Sequence, residues 1–118
     1  MKKAASNYVP DRGDLVWVTL NPTAEHEQAG RRPALVISPE SYNRKTGLCV
    51  LCPATRQAKG YAFEVAIANP DSSIVVLADH LRTVDWKARN TQLIHRVSDA
   101  ELAAVIARIE ALLVDPDT

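Results

Sequence analysis

Leu15-Val16-Trp17-Val18-Thr19-Leu20 is the stretch on which the fold is read. It is β-branched and aromatic, and it is bounded by Arg12-Gly13-Asp14 before and Asn21-Pro22 after, the composition and punctuation of a strand. Working outward, Pro33-Ala34-Leu35-Val36-Ile37-Ser38 reads as a second strand. Pro33 is confined to its beginning or to an edge, because proline has no N–H to give a ladder. Leu48 to Pro53 is a third strand, Phe63-Glu64-Val65-Ala66-Ile67 alternates between apolar and polar or small residues, and Ile74-Val75-Val76-Leu77 is a continuous apolar run. Thr83-Val84 and Leu93-Ile94 are weaker candidates for a sixth and a seventh. Short strands separated by Gly, Pro, Asn and Asp predict a small, strongly bent sheet or barrel.

The chain ends differently. Ser98-Asp99-Ala100-Glu101 is a capping box, in which the serine oxygen and the glutamate satisfy free N–H groups at a helix start. Leu102, Val105, Ile106, Ile109, Leu112 and Leu113 then recur at helical spacing, so a C-terminal helix should pack on the sheet or on a partner. The fold class is therefore mainly β with a C-terminal helix. Between the first two strands, Asn21 to Arg32 is polar and carries Pro22 and Gly30, which makes it a surface loop of a length that often carries function. Ser38-Pro39 predicts one short helical turn before Gly47, with the serine as cap and the proline at the first helical position.

At 118 residues and 12.9 kDa, the chain is long enough for one core and too short for two, so residues 1–118 are expected to form a single domain. No apolar run approaches the ~20 residues of a membrane helix, and no apolar stretch follows the lysines of the first ten residues. A cytoplasmic location is expected. The net charge is zero, which argues against nucleic-acid binding by bulk basicity alone. Charge is nevertheless segregated. Arg31, Arg32, Arg44, Lys45, Arg56 and Lys59 face only Glu40 between positions 31 and 59, whereas the segment from Val97 to Thr118 is acidic apart from Arg108.

Cys49 and Cys52 form a C-x-x-C spacing inside the third strand. Three positions apart on a strand they point to opposite faces, with Cα atoms roughly 10 Å apart, beyond the reach of a disulfide. No second C-x-x-C or histidine pair completes a zinc site, so both are expected in the core.

Several blocks occur in one order along nearly the whole chain: Tyr8-Val9-Pro10-Asp11-Arg12-Gly13-Asp14-Leu15-Val16-Trp17, Glu27-Gln28-Ala29-Gly30-Arg31-Arg32-Pro33-Ala34 and Tyr42-Asn43-Arg44-Lys45-Thr46-Gly47. Lys59-Gly60-Tyr61-Ala62-Phe63-Glu64-Val65, Leu77-Ala78-Asp79-His80 and Asp85-Trp86-Lys87-Ala88-Arg89 follow. Together they resemble the MazF/PemK/Kid toxins of toxin-antitoxin systems, in their MazF branch. The resemblance implies an SH3-like, strongly bent small barrel with a C-terminal helix, and a homodimer as the active unit. It also implies sequence-specific cleavage of single-stranded messenger RNA, with no metal and no cofactor, held in check by a cognate MazE-like antitoxin. It assigns catalysis to Arg32, Thr55 and Glu27. His26, beside Glu27, matches the histidine of the Kid branch, and His26, Gln28 and Asp79 are further candidates for catalysis or substrate contact. The chain departs from the pattern at Arg56, where Thr or Ser often stands, and at Leu77, where the Kid branch has an arginine.

Cleaving RNA without a metal uses its own 2′-OH as nucleophile, giving a 2′,3′-cyclic phosphate and a free 5′-OH. The protein must position that hydroxyl, stabilise the extra charge on the phosphorane and manage two protons. A guanidinium meets two phosphate oxygens at once and gives up its proton reluctantly, which suits Arg32 to charge stabilisation first and to proton donation only as a second role. Thr55 offers a short hydroxyl donor, and Glu27 or His26 could accept the 2′-OH proton. Arg31, Lys45, Arg56, Lys59, Lys87 and Arg89 are candidates to hold the RNA backbone. Tyr42, Tyr61 and Trp86 are candidate stacking platforms, with Trp17 read as a core or dimer contact. The rival readings are a CcdB-like toxin of the same fold that inhibits a topoisomerase without cutting, and a plain SH3-like interaction module. The Glu27–Pro33 loop favours the nuclease, because it brings Arg32 beside an acid and a histidine.

Overall fold

A computed structural model describes residues 7–20, 30–68 and 73–114. Strand β1 (Asp14–Thr19) lies between β2 (Arg31–Val36) and β7 (Gln92–Arg96) and is antiparallel to both. Leu15 stands opposite Leu35 and Trp17 opposite Pro33, while the pairing with β7 shifts register between Leu15 and Val16. Such an irregularity bends and twists a strand, and here it helps the sheet to curl. Pro33 sits in the part of β2 that pairs with β1 before the ladder to the next strand begins, so its missing N–H breaks no bond of that second ladder.

Strand β3 (Leu48–Thr55) joins the two halves of the sheet. One edge pairs with β2. Along the other edge, Leu48 to Leu51 pair with β6 (Arg82–Asp85), and Ala54 and Thr55 pair with β5 (Ile74–Leu77), which is flanked by β4 (Glu64–Ile67). The path β4-β5-β3-β2-β1-β7, with β6 also on β3, is a seven-stranded half-barrel among the described residues. The two weaker strand candidates, around Thr83 and Leu93, both form.

Alternation along the strands sorts the apolar side chains into two clusters. Leu15, Leu35, Cys52, Ala54 and Val76 face the helix side, where they meet Val105 and Ile109 of α2 (Asp99–Val114). Val16, Val18, Ala34, Val36, Cys49, Leu51, Val84 and Trp86 form the second cluster on the opposite face. Each fully buried Leu or Val contributes roughly 1.5–3 kcal/mol by leaving water. Cys49 and Cys52 thus fall in different clusters, free and buried, and burial pushes both thiols up to about 12.

Helix α2 starts as its sequence dictates. The Ser98 N–H donates to Glu101 Oε1 at 2.9 Å and the Glu101 N–H to Ser98 Oγ at 3.1 Å. The second carboxylate oxygen of Glu101 accepts the Ala68 N–H at 2.8 Å, which ties the helix start to the end of β4. Partial burial works to raise the Glu101 pKa, but the N–H donors of Ser98 and Ala68 outweigh it and hold the carboxyl below its usual range.

The short helix α1 (Glu40–Thr46) departs from expectation at its start. Its cap is Pro39, in an extended conformation with no side-chain bond, rather than Ser38. Ser38 is drawn away by its neighbours, its Oγ donating to Asn43 Oδ1 at 2.6 Å and accepting the Val50 N–H at 2.8 Å. Asn43, fully buried, donates from Nδ2 to the carbonyls of Pro10 and Ser38 at 2.8 and 3.0 Å, and its own carbonyl accepts Trp86 Nε1–H at 2.9 Å. One side chain and one carbonyl therefore fasten the N-terminal segment, α1 and the segment after β6. Gly47 closes α1 in the left-handed region, at φ 76°, where its N–H caps the Asn43 carbonyl.

Candidate active site

The β2–β3 ladder sets Ala34 opposite Pro53. Carried two residues farther, the same antiparallel register sets Arg32 across from Thr55, where the two strands no longer pair. Strand alternation puts both on the face of the Val36–Leu51 cluster, beyond its edge. Arg32 and Thr55 line a common cleft with Gln57, Lys59, Tyr61, Glu64, Leu77 and His80. They also line a larger one, of about 410 Å³, with Trp17, Arg31, Arg56 and Ile94. Arg32 borders a third with Pro53, His80 and Arg82.

Arg32 is exposed, and its guanidinium makes no hydrogen bond or ion pair with any other described residue. The residue lines the cleft beside Thr55. Thr55 Oγ1 accepts the Gln57 N–H at 3.1 Å, a turn bond that spends an acceptor and leaves the hydroxyl proton to be donated. The loop that follows is held from below by Glu64, whose carboxylate accepts the N–H groups of Lys59 (3.0 Å) and Gly60 (2.9 Å). Gly60 has φ +82°, a conformation that side chains disfavour, and the turn there sets Lys59 and Tyr61 on the rim. Tyr61 is 67% exposed, as a stacking platform must be.

The structure brings together Arg31, Arg32, Thr55, Arg56 and Lys59 of the expected residues. Arg31 is also braced across the sheet, donating to Thr19 Oγ1 and to Gln92 Oε1. Asp79 lies at the margin, with Oδ1 3.6 Å from His80 Nε2. Lys45, Lys87 and Arg89 line none of these clefts. Lys87 stacks over the Trp86 ring at 5.8 Å, beside a separate cleft shared with Tyr8 and Arg44. Arg89 donates to the carbonyls of Thr19 and Leu20, both at 3.3 Å, which fixes the end of β1. His26, Glu27 and Gln28 lie outside the described residues.

Two aromatic assignments are corrected. Trp86 is buried with its N–H engaged by Asn43, so it offers no face for a base to stack on. Of the two readings of Trp17, core or dimer contact, the first is overturned, since the side chain is 39% exposed in the large cleft. His80 and Arg82 were not among the expected site residues. The signal for Arg82 is its register, opposite Leu51, which shares a face with Arg32. That for His80 is the turn after β5, where its N–H bonds the Leu77 carbonyl at 3.0 Å.

Residues 11–113 match the family described as PemK-like, MazF-like toxin of type II toxin-antitoxin system. The chain belongs to this family. It is 46% identical over 108 residues to the endoribonuclease toxin MazF of Escherichia coli strain K12, across 92% of this chain and 97% of that protein. It is 35% identical over 108 residues to the endoribonuclease PemK of Escherichia coli, across 87% and 81%. Among solved structures, a MazE-MazF complex from Deinococcus radiodurans superposes with a TM-score of 0.80 at 45% identity, covering 92% of this chain and 98% of that one. A PemK/MazF-type half-barrel with a C-terminal helix is thus the architecture that carries the Arg32–Thr55 cleft. No helix among the described residues is long and apolar enough to cross a membrane.

Proposed function

We propose that this chain is a cytoplasmic, sequence-specific endoribonuclease that cuts single-stranded messenger RNA without a metal, and the toxin of a toxin-antitoxin pair. The observation that carries the reading is the apposition of Arg32 and Thr55 where β2 and β3 part, in a cleft rimmed by Lys59 and Tyr61. The guanidinium stabilises charge on the phosphorane, and the Thr55 hydroxyl donates to a phosphate oxygen. Glu27 or His26 takes the proton of the attacking 2′-OH, and Gln28 and Asp79 are substrate contacts. Arg31, Arg56 and Lys59 hold neighbouring phosphates, while Tyr61 stacks on an unpaired base. Lys45, Lys87 and Arg89 belong to the same proposed set of backbone contacts, farther along the strand, since they line none of the clefts at Arg32.

In this reading the active unit is a homodimer. The partner is a MazE-like antitoxin with an acidic, partly disordered segment that folds along the basic groove. The CcdB-like alternative is not favoured, since the similar proteins named above are endoribonucleases.

The test concerns the nucleophile. An RNA oligonucleotide with one 2′-deoxy sugar on the 5′ side of the scissile phosphate should bind but stay uncut, and EDTA should leave cleavage of the all-RNA strand unchanged. Binding survives because backbone charge and stacking supply most of the affinity for a single strand. Cleavage of the deoxy strand at the same bond, or loss of activity in EDTA, would make water the nucleophile and overturn these roles.

A further inference from the structure

We propose that Arg82 binds a backbone phosphate of the RNA on the far side of the cut from Lys59, so that the strand is gripped in both directions from Arg32. The inference rests on the ribonuclease reading above and extends its contact set to β6, from which it drew no residue. Two of the clefts bordered by Arg32 also share Leu77 and His80, and so form one trough. From Arg32 one arm runs past Thr55 to Lys59 and Tyr61, and the other past Pro53 to Leu20 and Arg82. A strand lying in this trough with its scissile phosphate at Arg32 meets a cation at either end.

Register fixes where the second cation stands. Arg82 pairs with Leu51 on β3, and Leu51 belongs to the cluster on whose face Arg32 lies. Leu51 precedes Thr55 by four residues, roughly 13 Å at ~3.3 Å per residue. Arg82 is thereby set back too far along β3 to share the phosphate that Thr55 faces, and its arm of the trough receives a neighbouring one. Arg82 is exposed and makes no hydrogen bond or ion pair with another described residue, whereas Arg31, Arg44, Arg89, Arg96 and Arg108 are each bonded within the fold. A planar fork of donors rooted on a paired strand suits a phosphate. Glu25 and Glu27, in the segment between Leu20 and Gly30, lie outside the described residues. A pairing of Arg82 with either carboxylate is the rival that the experiment separates.

The experiment uses the full chain and a short RNA centred on a bond that the wild type cuts, with a 2′-deoxy sugar at that bond to keep it whole. A neutral methylphosphonate replaces its phosphates one at a time. Arg82→Gln should bind the unmodified strand about tenfold more weakly than wild type, and the slope of log affinity against log salt should fall by about 0.7, the share of one phosphate on a single strand. A methylphosphonate at one position should make wild type and Arg82→Gln bind equally. That position should lie across the scissile bond from the one that equalises wild type and Lys59→Gln. Cleavage of the all-RNA strand at saturation should stay within about threefold of wild type, because the contact is the same before and during the reaction. Unchanged binding by Arg82→Gln would overturn the assignment, as would equalising positions on the same side of the cut. A deficit that no methylphosphonate removes, joined to slower cleavage at saturation, would overturn it in favour of a pairing with Glu25 or Glu27. Each of these leaves the ribonuclease reading intact, whereas a wild-type chain that cuts no RNA would remove that reading itself, and the assignment with it.

Discussion

Asn43 and Arg32 are two polar side chains that one small sheet treats in opposite ways. Asn43 is sealed at the junction of α1, the N-terminal segment and Trp86, with its amide and its carbonyl bonded within the protein. Arg32 stands at the parted ends of β2 and β3, exposed and lining a cleft. A polar group that the fold has saturated is paid for in stability, and one that the fold leaves open is available to a ligand. The contrast separates Arg32 from other arginines of the same chain as well. Arg89, Arg96 and Arg108 all donate to carbonyls or carboxylates of the fold, the Arg96 guanidinium reaching the buried Asp14 at 3.2 Å.

Substitutions at three positions sharpen the contrast, in falling order of effect. Arg32→Ala should lower cleavage by ~10²–10³, equivalent to about 2.7–4 kcal/mol of transition-state stabilisation. Its stability should stay within about 0.5 kcal/mol of wild type, as for an exposed site. Arg32→Lys should fail almost as badly, because an ammonium lacks the two-pronged contact. Single-turnover cleavage and urea melts on the same samples check both halves, and near-wild-type cleavage by Arg32→Ala would end the catalytic assignment.

Asn43→Ala should behave in the opposite sense. It strips the donors from the Pro10 and Ser38 carbonyls and the acceptor from Ser38, at a cost of roughly 1–3 kcal/mol for groups left unmatched in the interior. The urea midpoint should fall with the slope unchanged. Cleavage per folded molecule should hold, and a selective loss of activity would show that the knot also shapes the cleft.

The smallest effect belongs to Glu101. Its folded-state pKa lies below the ordinary carboxylate value, so its contribution is complete above the unfolded pKa, about 4.3, and is lost as pH falls through the folded value. Glu101→Gln keeps an acceptor but removes the charge. Allowing for solvent screening, it should cost a few tenths to about 1 kcal/mol near pH 7. The gap from wild type should close at acid pH. A gap that persists down to pH 2 would mean that the charge is not what matters.

What was legible in the sequence was local. The β-branched runs gave the strands, the spacing of Ser98 and Glu101 gave the helix start, and the three-residue separation of Cys49 and Cys52 placed them on opposite faces. Each follows from a period or a cap that the chain carries within a few residues. Ser38 was misassigned because the residue that captures its hydroxyl, Asn43, competes through a tertiary bond. Trp86 was misplaced for a related reason: it was read as a stacking platform, and only the closure of β6 and the following turn onto α1 buries it and gives its N–H a partner. The apposition of Arg32 and Thr55 depends on a strand register between distant segments. Before the structure, only the family resemblance pointed to it. His80 and Arg82 carried no pattern of their own, since their significance lies in which side of the sheet they close.

The separation of the two cysteines has a further consequence. The species that an alkylating reagent attacks is the thiolate, and both thiols are buried and resist ionisation. Each therefore becomes reactive only when its own side of the sheet opens, Cys52 with the helix-backed layer and Cys49 with the layer around Trp86. The molecule carries two native reporters of breathing, one per layer, whose labelling rates in the resting protein would tell whether the layers open together or in turn.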